Sequence, residues 1–137
     1  MWTYETSAEI NAPTERIWAL FADVAGWPRW NAGIETISLQ GPFETGTRFV
    51  MKPPEMEGLT SVLADVRPGE SFTDLTEVGD ITVRVFHGVE PLANGMSKVT
   101  YRTQVDGPEA AEVGAVVTSD FDEVLEGLKG IAEASGG

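Results

Sequence analysis

The sequence predicts an α+β fold in which an antiparallel sheet of about seven strands packs against a long carboxy-terminal helix. Three patterns support this fold: an alternating segment at the amino terminus, a middle region cut by turn signals, and an apolar stripe of helical period near the carboxy terminus. The chain has 137 residues, which is the size of about one domain. We therefore expect residues 1–137 to form a single domain.

The first segment is predicted to be a half-buried strand. Tyr4, Thr6, Ala8 and Ile10 fall on one face of an extended chain, whereas the intervening Glu5, Ser7 and Glu9 fall on the other. Successive side chains of a strand point to opposite faces, so this alternation indicates one buried and one solvated face.

A short amphipathic helix is expected next, in "NAPTERIWALFADV". Pro13 suits a first helical turn and Glu15 complements the positive end of the helix. Apolar residues recur at helical spacing and form one stripe: Ile17, Leu20, Phe21 and Val24. The helix is predicted to end near Gly26, followed by a turn that carries Trp27 and Trp30.

The region up to residue 106 is predicted to contain about six short strands. Turn signals separate them at Gly41-Pro42, Pro53-Pro54, Pro68-Gly69, Gly79-Asp80 and Asn94-Gly95. Short strands joined by such turns pair with their neighbours, which favours an antiparallel meander. The stretch 53–60, "PPEMEGLT", is expected to be a solvated loop.

The last segment, residues 109–133, is predicted to be one long amphipathic helix. Its apolar stripe contains Val113, Val117, Phe121, Val124, Leu128 and Ile131, and Asp120, Glu123 and Glu126 are expected mostly away from this stripe. Glycines at 114, 127 and 130 each cost roughly 1 kcal/mol relative to alanine inside a helix. Tertiary contacts must therefore hold this helix, and residues 134–137 are expected to fray.

Composition limits the classes of partner. The chain carries 22 acidic and 9 basic residues, for a formal charge of -13, which repels nucleic-acid phosphates and anionic membranes. The sequence has no cysteine, no secretory leader pattern and no apolar run of about 18 residues. We expect a cytoplasmic protein with no membrane span and no nucleic-acid partner.

The front third of the chain resembles a known family. Its progression I-x-A-P-x-x-x-I-W-x-L, from Ile10 to Leu20, and the following W-P-x-W of "GWPRW" are similar to the opening of START-like (SRPBCC) proteins, particularly their polyketide cyclase/dehydrase branch. The resemblance continues to "TSDFDEVLEGLKGIAE". It implies a helix-grip fold: a curved sheet wrapped around the carboxy-terminal helix, a short helix pair after strand one, and an apolar cavity between sheet and helix.

Strand parity indicates which side chains could face that cavity. In "ITVRVFHGVE" the odd positions are apolar apart from His87, and "KVTYRTQVD" and "TRFVMK" alternate in the same way. Of the two turn tryptophans, Trp30 is assigned to the cavity and Trp27 to the core, although both could simply attach the first helix to the sheet. The predicted ligand-binding residues are Trp30, Phe49, Met51, Val83, Val85, His87, Tyr101, Thr103, Val117, Phe121 and Leu125.

Few residues could perform chemistry. His87 is the only histidine, and no metal-ligand spacing surrounds it, so neither a metal nor a cofactor is predicted. His87 and Tyr101 are the catalytic candidates, because histidine titrates near neutral pH and a tyrosine hydroxyl can donate a hydrogen bond. A structural role is nevertheless more usual for a lone histidine at the end of a strand and for a tyrosine on an apolar strand face. Phosphate-loop, dinucleotide-binding and serine-hydrolase motifs are absent from the sequence.

Three functions remain open at this point. The first is binding of a small hydrophobic molecule, lipid-like or aromatic. The second, which the resemblance implies, is a polyketide cyclase or dehydratase, and the third is a co-chaperone-like interaction module. Only His87, Tyr101, Thr103 and Asp74 could supply polar groups to the cavity, and this scarcity favours binding. The ligand and the oligomeric state are not determined by the sequence.

Overall fold

The computed structural model of the protein describes residues 1–54 and 57–134. Seven strands form one sheet in the order β1-β7-β6-β5-β4-β3-β2, and every neighbouring pair is antiparallel. The strands are β1 (Trp2–Ile10), β2 (Thr36–Leu39), β3 (Arg48–Lys52), β4 (Leu59–Arg67), β5 (Ser71–Val78), β6 (Ile81–Pro91) and β7 (Ser97–Asp106). Strand β1 thus lies beside the last strand, β7, and the remaining strands follow in reverse chain order to β2 at the other edge.

Within residues 1–54 and 57–134, four longer helical segments accompany the sheet. They are α1 (Thr14–Ala22), a 3₁₀ helix (Val24–Arg29), α2 (Ala110–Thr118) and α3 (Phe121–Ala134). A further short 3₁₀ segment (Ala93–Gly95) lies in the turn between β6 and β7. The predicted helix-grip arrangement, with a helix pair after strand one and helix at the carboxy terminus, is confirmed.

The carboxy-terminal helix differs in one respect from the continuous helix that the sequence predicts. It is interrupted at Ser119 and Asp120, between α2 and α3. The Thr118 hydroxyl donates to the Gly114 carbonyl oxygen and the Ser119 hydroxyl donates to the Val116 carbonyl oxygen. Such side-chain bonds compete with the helical backbone pattern and favour a helix end. The Asp120 carbonyl then accepts the first bond of α3, from the Val124 N–H.

Two of the expected irregular segments fall partly outside the described residues. Positions 55 and 56 of the predicted 53–60 loop and positions 135–137 of the predicted terminal segment are not described. Within the two described ranges, none of the helices is long and apolar enough to cross a membrane.

The helices cover the sheet unevenly. Helix α1 packs on β6, α2 packs on β7 and β1, and α3 packs on β1 and contacts α1. The hydrophobic core includes several large side chains that are fully buried: Ile10, Ile17, Phe21, Val99 and Leu128. The helices pack mainly over β1, β6 and β7, so the inner face of β3 to β5 is left to border a cavity.

Strand parity agrees with the sequence-based assignment. On β6, Val85, His87 and Val89 are buried and Arg84 is exposed, while on β7 Tyr101 alternates with the exposed Arg102. The apolar faces of adjacent strands coincide because the antiparallel register pairs His87 with Tyr101 and Val83 with Val105. The register therefore brings the inward-facing residues of several strands together.

Candidate functional site

A cavity of about 440 Å³ lies between the inner face of the sheet, the turn at 27–34 and the carboxy-terminal helices. Most of its walls are aliphatic or aromatic. Of the residues that the sequence assigns to ligand binding, those that line the cavity are Trp30, Phe49, Met51, Val83, Val85, His87, Tyr101, Val117 and Phe121. Phe72, Ile34 and Val124 add to the apolar wall.

The structure places Thr103 and Leu125 outside this lining, contrary to the sequence-based assignment. Thr103 has the inward parity of β7 and is completely buried, but it does not belong to the lining. Leu125 is also buried, one position beyond the cavity-lining Val124. One step along a helix rotates the side chain by about 100°, which turns Leu125 toward the core.

The 3₁₀ helix brings two tryptophans to the cavity. The Trp27 indole N–H donates to the Phe21 carbonyl oxygen at 2.9 Å, and its ring stacks on Phe72 with centroids 5.7 Å apart. Trp30 is buried, and its Nε1 has no hydrogen-bond partner among the described residues. Trp27 belongs to the core, as assigned, but it also lines the cavity together with Trp30, which is itself part of the core.

Asp74 places a carboxyl group inside the cavity. Phe72, Asp74 and Thr76 alternate along β5 and all line the cavity, so the strand directs Asp74 inward. Its side chain is 16% exposed, and its Oδ2 lies 3.9 Å from His87 Nε2, too far for a hydrogen bond. Burial raises the pKa of Asp74 to about 7, because no described cation compensates the lost hydration.

His87 faces this carboxyl group from the neighbouring strand. Its Nδ1 lies 3.3 Å from the Phe72 carbonyl oxygen, so in the neutral ring Nδ1 carries the proton and Nε2 presents a lone pair toward Asp74. The ring stacks on Phe72 with centroids 4.1 Å apart. Burial lowers the pKa of His87 to about 3, which outweighs the opposing effect of carbonyl groups of Phe72 and Val85. His87 is therefore neutral at pH 7.

Tyr101 is a further polar side chain of the cavity wall, next to Asp74 and His87. It is 3% exposed, and its ring meets His87 and Phe121 edge-on, with centroids 4.6 Å and 5.3 Å away. Its hydroxyl has no hydrogen-bond partner in the described part of the chain. Burial raises the pKa of Tyr101, and the negative charges of Asp74 and Asp120 raise it further. The phenol stays protonated and can donate or accept a hydrogen bond.

Asp120 is a cavity residue that the sequence analysis placed away from the apolar stripe. The break between α2 and α3 puts it at the cavity, opposite the turn that contains Gly33. Burial raises its pKa, and the charge of Glu123 adds to this effect. The apolar stripe predicted one continuous helix, in which Asp120 faces away from the sheet. The run Thr118-Ser119-Asp120 is typical of a helix end and could have indicated the break.

A second opening of about 520 Å³ adjoins the cavity. It lies between residues 28–33 and α3, and it shares Trp30, Asn31, Gly33, Asp120 and Val124 with the cavity. Polar side chains, including Arg29 and Glu123, line it. Neither opening contains, within the described residues, a group of three acidic or histidine side chains arranged to hold a metal ion.

Solved structures with this architecture are numerous but distant in sequence. The ARO/CYC di-domain protein BexL of the BE-7585A biosynthetic pathway is 22% identical, with a TM-score of 0.76 over 94% of this chain and 45% of that one. This chain therefore spans less than half of that di-domain protein.

Two further structures match over almost their full length. A START superfamily protein from Mycobacterium smegmatis is 12% identical, with a TM-score of 0.78 over 96% of this chain and 97% of that one. Norcoclaurine synthase from Thalictrum flavum is 13% identical, with a TM-score of 0.75 over 95% and 85%. At these identities the likeness shows the fold alone.

Sequence comparison identifies the family. No curated protein matches the chain in sequence. The model of the family described as polyketide cyclase/dehydrase and lipid transport, however, matches residues 1–133. Since this match covers nearly every strand and helix described above, the chain belongs to the polyketide cyclase/dehydrase and lipid transport family of START-like proteins.

Proposed function

We propose that the protein binds a small, largely apolar molecule, lipid-like or aromatic, in the cavity between the sheet and the carboxy-terminal helices. The observation that carries this proposal is an apolar cavity of about 440 Å³ with an unpaired carboxyl group, Asp74, on its wall. Apolar walls favour burial of a ligand by about 25 cal/mol per Å² of apolar surface removed from water.

The unpaired polar groups support a ligand with polar atoms of its own. Asp74, the Tyr101 hydroxyl and Trp30 Nε1 lack hydrogen-bond partners among the described residues. A buried polar group without a partner costs about 1–3 kcal/mol. A ligand that hydrogen-bonds to Asp74 or Tyr101 recovers part of this free energy, which gives such a ligand an advantage over a pure hydrocarbon.

Binding of the neutral apolar dye Nile red tests the cavity directly. Met51→Asp places a charge on the cavity wall and should weaken dye binding at least about tenfold, because the charge must be desolvated. Val50→Asp is the matched control: Val50 is the preceding residue of β3, is 36% exposed and lies outside the lining. Fluorescence titration measures both variants.

Two results of this titration would contradict the proposal. One is that the wild-type protein does not bind the dye. The other is that Met51→Asp and Val50→Asp weaken binding equally. Native mass spectrometry of the protein purified from its own host complements the titration, because a co-purified molecule identifies the ligand.

A second candidate function is a cyclase or dehydratase of a polyketide-like substrate, and the Asp74 group favours it. A carboxylate with a pKa of about 7 is suited to take a proton from a carbon next to a carbonyl group near neutral pH. The Tyr101 hydroxyl can donate a hydrogen bond to the enolate oxygen that forms. Neutral His87 stands beside both groups and presents the lone pair of Nε2 as a hydrogen-bond acceptor.

Turnover of a synthetic polyketone substrate distinguishes the two functions. If the protein is a cyclase, Asp74→Asn should lower kcat by about 10²- to 10⁴-fold, the usual contribution of a general base. Tyr101→Phe and His87→Gln should also slow the reaction while leaving Nile red binding intact. If the wild-type protein accelerates no such reaction, the cyclase function is excluded for that substrate and binding alone remains.

Two further expectations, on cellular location and on nucleic-acid partners, form part of this proposal. A cytoplasmic location and the lack of nucleic-acid partners stay predictions, supported by the net charge of -13 and the absence of cysteine.

A further inference from the structure

The charged groups that face the cavity are all of one sign. Its lining includes the carboxyl groups of Asp74 and Asp120, and no lysine or arginine of the described chain belongs to it. His87, the remaining ionisable base, stays neutral near pH 7 because it is buried. The interior therefore offers a negative potential and no compensating cation, in a protein whose formal charge is already -13.

The other walls also suit a positive charge. Six aromatic side chains line the cavity: Trp27, Trp30, Phe49, Phe72, Tyr101 and Phe121. The face of an aromatic ring attracts a cation within about 6 Å. Tyr101 is 3% exposed, and its unpaired hydroxyl oxygen lies close enough to both aspartates for their charges to affect it. An ammonium group has three N–H donors, for which the Asp74 carboxylate offers acceptor oxygens and Asp120 adds a second negative charge to the same lining.

We infer that the ligand carries a protonated amine on an apolar, aromatic-sized body, with the amine bound by Asp74 and the body packed against the aromatic wall. This inference rests on the proposed binding function and narrows it to a class of ligand. An anionic ligand of the same size meets two carboxyl groups without a counter-charge. A neutral ligand does not compensate the charge of Asp74 when that group is ionised.

The pH dependence of binding differs in sign between a cationic and a neutral ligand. The titratable side chains that face Asp74 are His87 on β6, Tyr101 on β7 and Asp120 between α2 and α3, and β4 contributes none to the lining. A bound ammonium lowers the pKa of Asp74 from its raised value of about 7, so binding releases a proton and strengthens as pH rises. A neutral ligand that accepts a bond from protonated Asp74 binds more weakly as pH rises.

Calorimetric titration with three ligands of equal size tests the inference: naphthylethylamine, naphthylethanol and naphthylacetate. We expect the amine to bind at least about tenfold more tightly than the alcohol at about pH 8, and naphthylacetate to bind most weakly. Amine affinity should fall roughly tenfold between about pH 8 and about pH 6. Repeating the titration in buffers of different ionisation enthalpy measures the released proton.

Variants assign the effect to the cavity carboxyl groups. Asp74→Asn should reduce amine affinity by about tenfold or more and leave alcohol affinity unchanged or higher, and Asp120→Asn should act in the same direction. Asp65→Asn is the control for the change in net charge, since Asp65 is half-exposed on β4 and pairs with Arg67. It should leave the preference for the amine intact.

The possible failures are distinguishable. If amine and alcohol bind equally, or if naphthylacetate binds best, the cationic-ligand inference is wrong while the binding function stands. If Asp65→Asn reduces amine affinity as much as Asp74→Asn, the preference arises from net charge and the inference is also wrong. If none of the three ligands binds, the proposed binding function fails and the inference fails with it.

Discussion

At the scale of single residues, Asp74 and His87 show how one environment changes two groups in opposite senses. Burial disfavours the charged form of both, so it raises the pKa of the acid to about 7 and lowers that of the base to about 3. The two side chains lie 3.9 Å apart and are both mostly neutral just below pH 7. Asp74 and His87 therefore do not form an ion pair near neutral pH.

These pKa values predict opposite pH dependences of stability in two variants. The pKa of Asp74 rises from 3.8 to about 7 on folding, so Asp74 lowers stability as pH increases over that interval. The pKa of His87 falls from 6.5 to about 3, so His87 lowers stability as pH decreases over that interval. Between about pH 4 and about pH 6.5 the two contributions cancel in the wild-type protein.

Urea unfolding across this pH range separates the two contributions. Relative to the wild type, stability of Asp74→Asn should rise with pH by up to about 1.4 kcal/mol per unit, and stability of His87→Gln should fall with pH by a similar amount. The double variant should again follow the wild type. Parallel curves for all four proteins would show that neither pKa is shifted.

At the scale of secondary-structure elements, α3 holds the tryptophan turn against the sheet. A side chain at Gly127 would collide with the Trp30 carbonyl oxygen, which shows how closely the turn approaches the helix. The same helix contains Gly130, where a Cβ atom meets nothing within 4 Å. The close approach of the turn therefore requires a glycine at 127, whereas no steric contact requires one at 130.

Replacing each glycine by alanine should change stability in opposite directions. Gly127→Ala gains helix propensity but forces the turn away from α3, and we expect it to destabilise the protein by about 1–3 kcal/mol. Gly130→Ala has no steric cost and should stabilise the protein by about 0.5–1 kcal/mol. Chemical denaturation measures both, and equal effects would contradict the close approach of α3 and the turn.

At the scale of the whole molecule, sheet and carboxy-terminal helices depend on each other. Phe121, Val124, Leu125, Leu128 and Ala132 of α3 are buried, and α3 packs on β1 and contacts α1. Each large apolar side chain contributes about 1.5–3 kcal/mol, whereas a domain of this kind has a total stability of about 5–15 kcal/mol. The sheet cannot lose these contacts and remain folded.

We therefore expect a chain truncated before Glu109 to show no cooperative unfolding transition. A milder test uses point variants: Leu128→Ala, at a fully buried position, should cost about 2–5 kcal/mol. Val116→Ala on α2 is the control, because Val116 is 75% exposed and its truncation should change stability by less than about 0.5 kcal/mol. A truncated chain that still unfolds cooperatively would contradict the mutual dependence of sheet and helices.

Local periodicity alone predicted much of this protein. The inward parity of β6 and β7 and the inward-facing positions of Met51, Val83 and Phe121 follow from the spacing of apolar residues, since that spacing decides which face a side chain takes. The cavity that this face borders was implied by the family resemblance. The order of the elements and the resemblance of the first third then indicated the helix-grip fold, which is confirmed.

Tertiary structure decided the features that depend on contacts between distant segments. The break at Ser119 and Asp120 brings Asp120 to the cavity, whereas Thr103 is completely buried outside its lining. No local pattern shows that Asp74 is left unpaired or that His87 is neutral, because both depend on which groups other strands bring near and how much water they exclude. Side-chain periodicity is a property of a segment, whereas burial and electrostatic environment are properties of the assembled fold.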